Sequence, residues 1–219
     1  MRSFAQQDSI SYQERYGLSL GVELNKASRT LYDDDFEGFQ LYGDYRISED
    51  VFMAGEIGYD DLIFRNPVFV KNTTGSYLKL GANWNVYDNW IGMQNQIYVG
   101  GRLAVSSFSH ELQEFEISTR DDFFGSDVRT VNREFKDLLA TWVEFQLGFR
   151  TELVKNIFLG AHIQFKGRTT ETEISNFDHF YIPGFFETND SSNFGFGWGY
   201  SLTYLIPFKK VLKKQAINN

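Results

Sequence analysis

From Phe196 to Ile206 every even position is large and apolar (Phe196, Trp198, Tyr200, Leu202, Tyr204, Ile206), while Gly195, Gly197, Gly199, Ser201 and Thr203 between them are small. A period of two with one greasy face and one face without bulk predicts a strand pressed against lipid in a small closed barrel. The same alternation recurs upstream. It predicts strands over Tyr16 to Asn25, Gly38 to Ile47, Val51 to Asp60, Ser76 to Tyr87, Ile91 to Ser106, Leu139 to Glu152 and Ile157 to Lys166. With the C-terminal strand ending at Phe208, that makes eight.

The connections alternate in length. Ser48-Glu49-Asp50, Tyr87-Asp88-Asn89-Trp90 and Leu153-Val154-Lys155-Asn156 are tight turns, whereas long segments follow the first, third, fifth and seventh strands. This is the layout of an all-β, eight-stranded, antiparallel up-and-down transmembrane barrel with long extracellular loops and short periplasmic turns. The phase puts both termini in the periplasm. The segment from Phe108 to Ser118 still alternates weakly, so the fifth strand projects beyond the membrane on this reading, and ten strands is the alternative count. The expected boundaries are a signal-peptide remnant and N-terminal extension over 1–15, the barrel over 16–208, and a basic periplasmic tail over 209–219.

The less apolar faces carry Glu23, Asp44, Arg46, Glu56, Lys79, Arg102, Glu144, Arg150 and Lys166, with Glu152 and the glutamines Gln40, Gln96, Gln146 and Gln164. Acids and bases balance. Eight strands enclose a space just wide enough for their own side chains, so these residues are expected to form a lumen network that plugs the barrel. A lipocalin-like soluble barrel would reverse the faces, but four or five large apolar residues per strand would overfill its interior.

Composition narrows the classes. The chain has 219 residues, 17% aromatic content, 3 prolines and no cysteine, which favours strands and removes disulfides and thiolate sites. A net charge of -8 argues against a nucleic-acid partner. No apolar run is long enough for a transmembrane helix, which a barrel does not need.

Little in the chain suggests chemistry. His110, His162 and His179 lie in no metal-ligand spacing, and no catalytic residue, metal or cofactor is expected. Two enzymatic alternatives use the few candidates present: Asp121, Asp122, Asp178 and His179 as an omptin-like rim site, or Ser109 and His110 as a lipid A deacylase-like pair. Asp33-Asp34-Asp35 lacks the spacing of an ordered calcium loop. The segment Tyr181-Ile182-Pro183-Gly184-Phe185-Phe186 sets four large apolar groups around a Pro-Gly turn. It either folds down over the barrel mouth or, through Tyr181, Ile182, Phe185 and Phe186, contacts a partner.

Gly199, Leu202, Tyr204 and Phe208 occupy the positions of the C-terminal signal of bacterial outer-membrane barrels, which the chain resembles there. The Gly-rich first strand, the Trp142 to Phe165 hairpin and the Tyr181 to Phe185 loop resemble an uncharacterised family of small Bacteroidota outer-membrane barrels. In architecture the chain is similar to OmpX- and OmpA-type barrels. The resemblance implies the Gram-negative outer membrane and leaves activity open. The expected role is a non-enzymatic structural or accessory barrel, in contact with outer-membrane lipid and an envelope protein, as in an assembly or secretion complex. The alternative is a barrel that binds lipid or a small ligand in a cavity behind Gly17, Ser19, Gly21, Gly195, Gly197 and Gly199.

Overall fold

The computed structural model describes residues 9–66, 69–89, 93–117, 127–174, 179–188 and 192–216. In chain order the elements are β1 (Ser9–Glu23), α1 (Leu24–Tyr32), β2 (Phe36–Arg46), β3 (Val51–Arg65), β4 (Phe69–Asn85) and β5 (Gln96–Ile117). They continue with β6 (Asp127–Val154), β7 (Ile157–Glu171), the short β8 (Tyr181–Ile182) and β9 (Phe186–Glu187), and β10 (Phe194–Ala216). Eight strands close into one antiparallel barrel in the order β1-β10-β7-β6-β5-β4-β3-β2, and β8 pairs with β9 in a separate hairpin. Among the described residues no helix is long and apolar enough to cross a membrane.

The alternation read from the sequence is the inside-outside alternation of the wall. Leu41, Met53, Ile57, Leu80, Trp84, Leu103, Phe145, Phe149, Trp198 and Tyr204 point outward and are exposed, while Glu23, Asp44, Glu56, Lys79, Arg102, Glu144 and Arg150 are buried inside. A pleated strand places successive side chains on opposite faces, and closure turns that into an apolar exterior around a polar interior. The lipocalin-like arrangement is therefore reversed here.

Several boundaries move. The barrel does not stop at 16 and 208. β1 begins at Ser9 and pairs through to Ala216, with Tyr12 opposite Lys213. The expected tail thus continues the wall, because its lysines find cross-strand acids: Lys213 bridges Glu14 at 3.5 Å and also pairs with Glu49. Of the signal-peptide remnant and N-terminal extension expected over 1–15, residues 1–8 lie outside the described residues and 9–15 belong to β1. The fifth strand starts at Gln96, not Ile91. Before it, Gln94 donates to the Arg15 carbonyl at 3.1 Å and Asn95 accepts from Thr151 and the Glu152 N–H, so this stretch turns across the base of the barrel. At the other end β5 and β6 run on as a hairpin to Ile117 and Asp127, absorbing most of the long connection expected there.

Leu24 to Tyr32, expected as strand end and loop, is a helix, and it fills a break in the wall. β1 pairs with β10 only as far as Glu23 opposite Ser201, and with β2 only as far as Val22 opposite Leu41. Beyond that level β10 from Phe194 to Tyr200 pairs with β7 alone, and β2 from Phe36 to Gln40 with β3 alone. Open strand edges must be satisfied, above all near hydrocarbon. Side chains of α1 and its flank do so. The Asn25 amide donates to the Trp198 carbonyl at 3.1 Å, and the Thr30 hydroxyl meets the N–H and the carbonyl of Gly38 at 3.0 and 3.1 Å. The Tyr200 N–H donates to the Glu23 carboxylate.

Candidate functional site

Residues from β1 to β7 converge in the barrel. Near the tight-turn end, Arg150 donates to Asp44 at 2.5 Å beside Ser19. At mid-height Glu56 accepts from Arg102 at 3.2 Å and from Gln40 at 2.9 Å, with Lys79 3.6 Å away. Glu144 joins Lys79 at 2.8 Å, the Trp142 indole N–H at 2.7 Å and Gln146 at 3.1 Å, and Lys166 lies 3.8 Å off. Each carboxylate is thus shared by several donors. Burial of a charge is tolerated only on such terms. Glu23 is the exception, since its Oε1 is buried without a hydrogen-bond partner, packed against the backbone at Gly199.

Arg46 is not part of this cluster. It sits at the rim, paired with Glu14 at 3.1 Å, stacked over Tyr16 and bonded to the Ser48 and Glu49 carbonyls. Its place at the last residue of β2 puts its long side chain beside the turn rather than in the interior.

The opposite mouth is covered by the β8–β9 hairpin. Tyr181, Ile182 and Phe185 are buried and Phe186 is half-buried, so they form no exposed contact patch. They fold down over the mouth because the wall leaves them room. A Cβ on Gly195 would lie 2.9 Å from the Phe185 ring, and one on Gly197 3.2 Å from Phe186. Two of the small residues at the closing seam, Gly195 and Gly197, therefore make room for the cap's rings. Phe185 meets Trp142 edge-on at 5.7 Å, and Ile182 packs among Tyr77, Phe108 and Leu138. Gly184 has a φ of +80°, and a Cβ there would strike the Tyr77 ring at 2.5 Å, so the turn needs glycine on both counts. Phe186 holds a φ of 81°, a conformation that costs an L-residue about 1–2 kcal/mol. Its ring lies 3.9 Å from the Lys166 ammonium and 5.1 Å from that of Lys26, cation–π contacts that offset the strain.

Two polar anchors tie this cap down. Asp60 on β3 accepts from Lys26 at 2.5 Å, from the Tyr181 hydroxyl at 2.8 Å and from the Gly184 N–H at 3.0 Å, uniting wall, helix and cap. Lys166 donates to the Gly184 carbonyl at 2.9 Å. The second anchor is a chain of rings. Thr73 bonds His110 at 2.8 Å, His110 bonds His179 at 2.8 Å, and His179 bonds the Thr172 carbonyl at 2.7 Å. The carbonyl can only accept, so His179 donates to it and accepts from His110, which in turn accepts from the Thr73 hydroxyl. Both imidazoles are neutral in that arrangement.

The pair lies above the apolar belt, which on β5 ends at Val105 and is followed outward by Ser107 and Ser109. Burial holds His110 down to about 2, with Lys71 and His179 adding to it, and burial also lowers His179. Among the described residues neither ring bonds a carboxylate, and Ser109 is on the opposite face of β5 from His110. Asp121, Asp122 and Asp178 lie outside the described residues. His162 bonds Gln164 at 2.8 Å inside the barrel.

Asp60, Lys26 and Tyr77 are among the interior residues that the sequence reading left out. Asp60 was legible, being in phase with Glu56 on the inward face of β3, whereas Lys26 depends on a helix that the alternation does not signal.

Among curated proteins none matches this sequence. Among solved structures the chain is similar to Ail, the attachment invasion locus protein of Yersinia pestis, with a TM-score of 0.40 and 11% identity over 94% of this chain and 100% of that one. Residues 2–211 match the family described as "Domain of unknown function (DUF6048)", and the chain belongs to that family.

Proposed function

We propose that the protein is an integral barrel of the bacterial outer membrane with a closed interior, serving the envelope as a structural or accessory protein and not as an enzyme or an open pore. The observation that carries this reading is the reversal of faces. Leu80, Leu103, Phe145 and Trp198 are exposed on the outside while ion pairs occupy the inside, an arrangement that water would penalise and a bilayer would stabilise. Closure is supported by the three-way sharing of Glu56 and Glu144 across the bore and by the cap above it. The pairing of Ser9 with Ala216 at the end of the tight turns supports a periplasmic position for that end, since short turns face the periplasm in such barrels.

The accessory role attaches to the β5–β6 hairpin rather than to Tyr181 to Phe186. Past Val105 β5 continues to Ile117, a reach of about 40 Å at the usual rise per residue. Such a projection offers an envelope partner a surface clear of the lipid.

The test is reconstitution of the refolded protein into phosphatidylcholine vesicles and planar bilayers. Stable insertion without ion conductance is expected. Failure to insert, or steady single-channel currents, would overturn the membrane reading or the closed interior respectively.

A further inference from the structure

The break in the wall leaves a groove. Between α1, the β8–β9 hairpin and the upper half of β10 lies a cavity of about 330 Å³, within the range of about 300–1,000 Å³ usual for small-molecule sites. Half of its lining residues are aromatic. Its outer wall is formed by Phe196, Trp198 and Tyr200, the lipid-facing residues of β10, and its inner wall by Tyr181 and Phe186 of the cap. It therefore runs through the barrel wall, from the belt to the mouth, at the level where β10 has no neighbour but β7.

We propose that this groove binds one acyl chain of a bilayer amphiphile with an anionic headgroup, which enters sideways between α1 and β10; the proposal rests on the membrane reading above. The aromatic lining continues the apolar belt without interruption, so a chain sliding in from the bilayer loses no apolar contact on the way. No such continuity exists toward the aqueous mouth, which the cap covers.

The headgroup preference follows from Arg29. Its guanidinium lies 4.2 Å over the Phe36 ring at the groove's polar end, its Nε donates to Asp33 at 2.8 Å, and a third of the side chain is exposed. Guanidinium carries five donors in a planar fork that suits carboxylate and phosphate. Among the described residues only Nε is engaged, which leaves the terminal nitrogens to an incoming anion. Lys26, deeper in the groove, is already committed to Asp60.

What holds the entrance shut is slight. α1 reaches β10 through the Asn25 amide and a 3.3 Å contact between the hydroxyls of Ser28 and Tyr200. The outer face of the helix shows Ala27 and Leu31, spaced one turn apart, to the surroundings. A lipid-facing helix held to β2 and β3 by Thr30 and Lys26 but to β10 by these two polar contacts suits a side door on its β10 side.

The test uses the whole chain in phosphatidylcholine nanodiscs with a diazirine-bearing palmitate, and maps the photoadducts by peptide mass spectrometry. Saturable adducts on Tyr32, Tyr181 or Phe186 are expected, suppressed by excess palmitate. Ser28→Phe fills the groove and should weaken this labelling about tenfold, as for losing contacts worth some two methylenes. The same chain ending in a hydroxyl should label about threefold less than the acid, and Arg29→Gln should erase that difference. Belt residues such as Leu80 and Phe145 serve as the internal control for insertion. Belt labelling without saturable groove labelling overturns the groove alone; absence of both overturns the membrane reading as well. Equal labelling by acid and alcohol in the unaltered protein overturns the anionic preference.

Discussion

Lys26 and Asp60 form an ion pair of 2.5 Å in which both side chains are buried, and the same carboxylate takes the Tyr181 hydroxyl and the Gly184 N–H. One residue of β3 thus holds the helix that fills the wall and the hairpin that covers the mouth. Asp60→Asn leaves the Lys26 charge buried without its counter-ion, a loss expected to cost about 3–5 kcal/mol. Urea unfolding in detergent micelles should show the lower midpoint, and Lys26→Met added to Asp60→Asn should recover part of it. An unchanged midpoint in the single variant would mean that the pair does not hold the cap.

Glu144 carries the mid-height charges on β4 and β7. It is the carboxylate 2.8 Å from Lys79 and 3.8 Å from Lys166, and Glu144→Gln sets the two ammonium groups against one another with Glu56 alone to balance them. We expect destabilisation of about 3 kcal/mol or more. Lys79→Met in the same background should restore a large share. A double-mutant cycle reads this directly, and purely additive losses would contradict the coupling.

Leu80 points outward from the middle of β4 and is more than half exposed. In a soluble protein an arginine there would be nearly neutral. At the midplane of a bilayer it costs about 2–4 kcal/mol. Comparing Leu80→Arg in phospholipid vesicles with Thr141→Arg, an outward position nearer the β5–β6 projection, therefore gauges depth. Equal stability of the two variants would count against a membrane belt at Leu80.

The wall was legible because a period of two survives every detail of packing: once a strand closes into a barrel, residues such as Glu56 and Ile57 have no choice but opposite faces. The same rule gives the inward set from Glu23 to Lys166, with Arg46 at the rim as the exception. Strand ends were not legible. They depend on who sits opposite, as when Lys213 continues β10 because Glu14 and Glu49 await it. Nor was α1, whose Asn25 and Thr30 matter only because β1 stops short of β10 and β2. The cap was half legible. Its apolar groups were plain in Tyr181 to Phe186, but their inward direction follows from the space at Gly195 and Gly197, a relation between segments that no local pattern carries.

The histidine chain makes the cap sensitive to acid. In an unfolded chain both rings would titrate near 6.5. In the folded protein His110 is held down to about 2 and His179 is lowered, so below pH 6.5 the unfolded state binds more protons than the native one. Stability contributed by the neutral pair is therefore complete above about pH 6.5 and is lost as the pH falls beneath it. Lys71 opposes protonation of both rings, whereas Glu171 favours it at His179 and Arg168 resists it there. From His110 alone the loss at pH 5 amounts to about 2 kcal/mol. Hydrogen exchange over residues 179–188 should accelerate between pH 7.5 and 5 while the β6–β7 hairpin stays protected. The double variant His110→Phe, His179→Phe should flatten that dependence without opening the barrel, since neither ring of the cap's anchor is then left to charge. Exchange that accelerates equally in wall and cap, or that keeps its pH dependence in the double variant, would place the acid-sensitive groups elsewhere.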